Sequence, residues 1–251
     1  MKQLVKKDLK LFFGNKQDML LTFALPIVFI TLFSFVFGSM GNTEEAKNGS
    51  IVHVVAGTSV MMLLFSMAGI GGSLLDEKQE GMLKKLLCSP MHPDTILFGK
   101  MLYANIISII QLIIMFIFAW LVFGLPIIHH LPSLAIMILA TAYACSGFGI
   151  VLASFAKTGR QVQALSTIIV LVMSGIGGSM VPVFVMPEIM QKIAVVSVNY
   201  WGIHGFYDIF LERLPITDIS FLSKVLVLIL IGTSLNIIAF QMFKRNILKI
   251  A

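Results

Sequence analysis

Side chains able to do chemistry are few in this chain, and most are crowded into short stretches. The densest is DEKQEGMLKKLLCSPMHP, residues 76–93, in a 251-residue chain that is 58% hydrophobic and 12% charged. Acids open it, lysines follow, and Met82, Leu83, Leu86 and Leu87 recur at helical spacing, so one apolar stripe is flanked by charge. Glu80 and Lys84 stand one turn apart and are placed to pair, and Ser89-Pro90 stops the helix. So short a helix is marginal alone in water and needs a surface to pack on. That surface is either its own membrane domain or a cytoplasmic partner.

Other reactive groups do not combine into sites. Gly99-Lys100 lacks the upstream glycine of a phosphate-binding loop and is followed by Met101, so the chain has no GxxxxGK[ST] to cradle ATP. His129-His130 has no Cys, Asp or Glu nearby in sequence, which makes a poor metal site. Cys88 and Cys145 share neither a CxxC spacing nor an environment, so neither a disulfide nor a zinc site is expected. Inside the apolar runs only His53 and Lys224 are ionisable, each close enough to a run's start to snorkel to an interface. Ion relays and charged pores need more than that, so the pattern favours a path for amphiphilic or apolar cargo. No acid-base cluster at membrane depth supports an embedded enzyme.

The elements that must carry these residues are membrane helices. Six runs, at 19–39, 51–75, 101–125, 134–156, 162–186 and 221–243, are each long enough to span about 30 Å of hydrocarbon. They lack the alternation of barrel strands, so the expected fold is an all-α integral membrane protein in one domain, 1–251. Pro26 and Pro182 are expected near helix ends or absorbed as kinks. The net charge of +6 comes from short basic clusters beside these runs, a pattern that fits a membrane surface and not nucleic acid. Most of the 18 Lys and Arg fall on one side of the six-span topology, leaving Lys47, Lys192, Arg213 and Lys224 on the other. That bias predicts a cytoplasmic-membrane protein with both termini in the cytoplasm.

Three further segments complete the expectation. Residues 1–17 alternate Leu4, Val5, Leu9 and Phe12 or Phe13 with Lys2, Lys6, Lys7 and Lys10, an amphipathic helix for the inner leaflet, read as retained and not as a cleaved signal. Residues 187–220 are expected to dip into the outer leaflet as a short re-entrant helical segment. There Tyr200, Trp201 and Tyr207, with Asp208, Glu212 and Arg213, suit the headgroup level. GIGGS at 69–73 and GIGGSM at 175–180 supply Gly69, Gly71, Gly72, Gly175, Gly177 and Gly178 for close helix packing, a dimer seam or the cargo path. Met61, Met62, Met173 and Met180 on the same two spans are candidate cargo contacts, with gap filling as the alternative.

The stretch LLDEKQEGMLKKLLCSPMHPDTILFGK resembles the first cytoplasmic loop of the ABC type-2 permeases, through Glu77, Glu80, Gly81, Leu86, Ser89, Pro90, Gly99 and Lys100. GGSMVPVFVMPEIMQKIAVVSVNYWGIHGFYDIF resembles the same family between its fifth and sixth spans, through Gly177, Gly178, Pro182, Met186, Pro187, Trp201, Gly205 and Phe206. The resemblance implies that the segment 76–93 is a coupling loop whose helix, 77–88, seats in a separate ABC ATPase subunit. Glu77, Glu80, Gly81, Met82, Leu83, Leu86, Leu87, Ser89 and Pro90 would carry that contact. It also implies a second permease protomer, ATP and Mg2+ held by the partner ATPase with no cofactor on this chain, and export of a drug, antibiotic or lipid-like compound. Lipid-linked polysaccharide is an alternative cargo, and a membrane scaffold or sensor is the alternative role.

Overall fold

The computed structural model describes residues 1–38, 43–82, 93–243 and 245. Among them every regular element is a helix: α1 Lys2–Gly14, α2 Lys16–Gly38, α3 Glu44–Gln79, α4 Pro93–Phe123, α5 Leu131–Ser146, α6 Phe148–Phe155, α7 Gly159–Ile176, α8 Glu188–Ala194, α9 Val198–Phe210 and α10 Ile219–Met242. Six stretches are long and apolar enough to cross a membrane, namely α2, α3, α4, α5 with α6, α7 and α10. The protein is an all-α, multi-pass membrane protein.

Local chemistry sets the ends of these helices. Leu4, Val5 and Phe12 of α1 are buried on one face, and Asn15 breaks the helix in an extended conformation while its side chain accepts the Gln17 N–H. A π-helical turn over Leu20–Ala24 lies just before Pro26, which has no N–H to donate, so the proline is accommodated inside α2. Thr43 caps α3 through the Ala46 N–H at 3.2 Å, with Glu44 and Glu45 complementing the helix dipole. At 36 residues α3 is about 54 Å long, well beyond the hydrocarbon thickness, so it projects past the membrane core.

Helix α3 is the central pillar, packed against α2, α4, α6, α7 and α9. Lipid supplies no hydrophobic drive between helices, so close backbone approach matters more than in a soluble core. A Cβ on Gly71 would overlap the Gly149 carbonyl of α6, and one on Gly149 would overlap the Met67 carbonyl of α3. Nearer the other end, a Cβ on Gly57 would lie 2.5 Å from the Ser179 carbonyl. The Ser108 hydroxyl of α4 sits 3.1 Å from the Met67 sulfur and donates to the Ala104 carbonyl.

Two sequence expectations are corrected. The fifth span does not run over 162–186: α7 stops at Ile176, and Gly178, at φ 92°, turns the chain back. That turn is held by Asn199 of α9, fully buried, whose Nδ2 donates to Ser174 and Ser179 Oγ at 2.9 Å each. The apolar VPVFV after it reads as membrane helix only while this distant partner is unseen. The second correction concerns polar groups assigned to the interface. Asp208 is buried and paired with Lys224 at 2.5 Å, and His53 is buried against the Tyr207 hydroxyl, so these groups find their partners inside the bundle and not in solvent. A short helix is present in that segment as α8, and α9 packs against α3, α5 and α10, with the Phe206 ring 4.7 Å from that of Phe116.

These contacts predict opposite outcomes for two similar substitutions. Gly71→Ala drives a methyl into backbone and should destabilise the protein by about 3 kcal/mol or more. Gly175, whose Cβ position meets nothing within 4 Å, should accept Ala with no loss. Thermal unfolding of the two purified variants in detergent checks the contrast.

Candidate coupling site

The segment of interest begins where α3 ends. Leu74 and Leu75 are its last deeply buried residues, and the charged run follows on the next turn. Glu80 N–H still bonds the Asp76 carbonyl at 2.9 Å, and Gly81 N–H bonds the Lys78 carbonyl at 3.2 Å. Gly81 has φ 76°, the left-handed conformation that ends helices and that a side chain disfavours. Glu77 therefore belongs to the last turns of α3, with Glu80 as its C-cap, and not to a separate loop helix starting at 77. Gly81 is the hinge between span and loop, and Met82 lies just beyond it, half-buried. Leu83, Lys84, Leu86, Leu87, Ser89 and Pro90 lie outside the described residues.

Beyond the loop, α4 returns with Gly99 and Lys100. Lys100 is 5% exposed, and its ammonium reaches Glu77 Oε1 at 2.8 Å and Asp8 Oδ2 of α1 at 3.0 Å. Asp8 Oδ1 in turn lies 3.2 Å from the Lys7 ammonium, which is partly exposed, so a second cation at the rim balances the second carboxylate. Next to Lys100, a Cβ on Gly99 would meet Leu4 Cδ2 at 2.7 Å, so the glycine is what lets α1 lie against α4. Both flanks of the loop are thus clamped to each other and to the interfacial helix.

The neighbouring connection is tied to the same place. The Asp76 carboxylate lies so close to Gly159, at the start of α7, that a Cβ there would be 2.4–2.8 Å from its atoms, putting negative charge at a helix N-terminus. Gln79 Nε2 donates to the Lys157 carbonyl at 3.0 Å, and Lys157 N–H donates to Gln161 Oε1 at 2.9 Å. One turn of α3 therefore gathers α1, α4 and α7. A restraint of this kind can carry force from the loop into several spans together.

The other sequence candidates are dispersed. Gly71 and Gly177 do mediate close approach, but to Gly149 of α6 and to Ser197 and Asn199 of the same chain. Gly178 makes the turn, while Gly69 and Gly72 have ordinary contacts near Gln163 and Gly159. Met61 and Met62 are buried in the chain's own core, Met173 is half-buried and Met180 is 41% exposed. Among the described residues no three of His, Cys, Asp and Glu are grouped to hold a metal ion. Sequence reasoning missed Asp8, Asp76 and Gln79. Asp8 had a readable signal, since it shares the apolar face of α1 with Leu4, Val5 and Phe12, where an acid needs a buried cation.

Removing the shared cation should be worse than removing either anion. Lys100→Met leaves two buried carboxylates facing each other and should cost about 3–5 kcal/mol. Asp8→Asn leaves the Lys100–Glu77 contact in place and should cost less. The triple variant Asp8→Asn, Glu77→Gln, Lys100→Met should recover much of the loss, all read from thermal unfolding in detergent.

A family model described as ABC-2 type transporter matches residues 1–211. The Linearmycin resistance permease protein LnrN of Bacillus subtilis (strain 168) is 25% identical over 178 residues, covering 70% of this chain and 46% of that protein. The Inner membrane transport permease YhhJ of Escherichia coli (strain K12) is 22% identical over 156 residues, 61% of this chain and 40% of that protein. The chain thus spans less than half the length of the curated relatives it matches. With the matched region running from α1 through α9, this chain belongs to the ABC-2 type transporter family.

Proposed function

We propose that this chain is the membrane-spanning permease unit of an ATP-driven exporter, lying in the cytoplasmic membrane with both termini inside. It works with a second permease protomer and with a separate ATPase that holds ATP and Mg2+. The single observation that carries the reading is the buried Asp8–Lys100–Glu77 clamp at the mouth of the 80–92 loop. Force arriving on a loosely hung loop would be lost in bending. A loop whose two flanks are locked together, at the end of a long central helix, delivers it to the bundle.

The sequence supports this division of labour, since it has no phosphate-binding loop of its own. An apolar stripe at Met82, Leu83, Leu86 and Leu87 supplies the area for docking, and Glu80 supplies charge at its edge. Cargo is an amphiphilic or hydrophobic compound of drug or antibiotic type. Spans with almost no ionisable groups favour it, as does a relative named for linearmycin resistance.

The test is co-purification with a candidate ATP-binding-cassette ATPase from the same organism, followed by hydrolysis measured with and without candidate amphiphiles. Gly81→Val strains the hinge by about 1–2 kcal/mol and re-aims the loop. The variant should keep the wild-type unfolding temperature to within a few degrees and lose roughly tenfold or more of cargo-stimulated hydrolysis. Undiminished stimulation in a Gly81→Val, Glu80→Lys double variant would count against the loop as the docking element.

A further inference from the structure

The other face of α1 is built differently from the face that carries Asp8. Lys7, Lys10, Leu11 and Gly14 follow one another at i, i+3, i+4 and i+7, and the turn into α2 brings Asn15 and Lys16 round to complete an open cavity of about 720 Å³. Among the described residues no carboxylate pairs with Lys10 or Lys16, and Lys7 shares Asp8 with Lys100. Gly14 leaves the floor open, since a Cβ there would meet nothing within 4 Å. Three cations thus face a concavity whose one apolar wall residue, Leu11, is 55% exposed.

The position of the cavity narrows its ligand. Lys16 is the first residue of α2, a membrane-crossing helix, and the next turns expose Leu20 and Leu21. The cavity therefore sits at headgroup depth, with hydrocarbon immediately beyond. A soluble polyanion would use the lysines and leave Leu11 in water, whereas an anionic phospholipid matches both. Each lysine near a charged bilayer surface contributes attraction that falls off within a Debye length, and three in one cradle give a preference for charged headgroups.

We infer that the α1–α2 turn is a binding site for one anionic phospholipid, its phosphate held by Lys7, Lys10 and Lys16 and an acyl chain leaving past Leu11. Occupancy competes with Asp8 for Lys7, so lipid charge is felt at the coupling clamp through a contact of 3.2 Å. The inference rests on the multi-pass membrane placement in the proposed function and on the expected position of α1 at the membrane surface, but not on export itself.

Native mass spectrometry of the purified permease, without any ATPase, provides the test. The protein is offered equal amounts of phosphatidylglycerol and phosphatidylcholine with matched chains. Wild type should retain phosphatidylglycerol preferentially and unfold at a higher temperature in its presence. Lys7→Gln, Lys10→Gln, Lys16→Gln should weaken that binding roughly 100-fold. Lys10→Glu with Lys16→Glu, which leaves the Lys7–Asp8 contact alone, should abolish the preference too. Lys192→Gln on α8 should leave it intact. Equal retention of the two lipids by wild type, an unchanged preference in the lysine variants, or displacement by millimolar inorganic phosphate would each overturn the lipid site. Symmetric probes make the result independent of which side faces the cytoplasm, so failure here is distinct from failure of the export reading.

Discussion

A lysine taken almost wholly out of water must be held by anions, and in this protein the anions come from two other helices. Lys100 sits between Asp8 of α1 and Glu77 of α3, and that arrangement fixes how the start of α4, the end of α3 and the interfacial helix lie together. The cost of dehydrating the charges means the clamp adds little to overall stability compared with an apolar packing of the same volume. What it adds is discrimination. Any sliding of α1 or any parting of the loop's flanks strands a buried charge, so the three elements move as one or not at all.

The remaining architecture extends that restraint across the membrane. α3 passes from the clamp through the closest backbone contacts of the bundle, at Gly71 against Gly149 and at Gly57 against the Ser179 turn. At its far end the Asn199 hub and the Asp208–Lys224 pair fold α8 and α9 back into the helices. Charged or amide side chains thus anchor both ends of the pillar, with apolar packing between. Small displacements at one end of such an interdigitated core are transmitted, since packed interiors are poorly compressible.

Much of this was legible in the residues because membrane physics is strict. Six long apolar runs and a one-sided distribution of lysines leave few alternatives to a six-span helical fold, and the helical repeat of Leu4, Val5 and Phe12 marks α1 at once. Gly81 could be picked out as a motif position, but its role as the left-handed terminus of α3 emerges only from the backbone. Partners distant in sequence were illegible. Nothing local in VPVFV tells that Asn199 pulls Ser179 out of a fifth helix, or that Tyr207, 154 positions away, covers His53. Asp8 lies between the two cases, since its place on an apolar face announces a missing cation without saying which one.

The central claim is that the interfacial helix and the loop's flanks travel as one body when force arrives. Spin labels at the exposed Lys6 of α1 and Ser73 of α3 report this distance directly, by pulsed electron paramagnetic resonance on the complex with the proposed ATPase. The account predicts one narrow distribution that is the same without nucleotide and with ATP trapped, broadening only when Lys100 is replaced by Met. A Lys6–Ser73 distance that changes by about 5 Å, one helical turn, between those states in the unmodified clamp would contradict it.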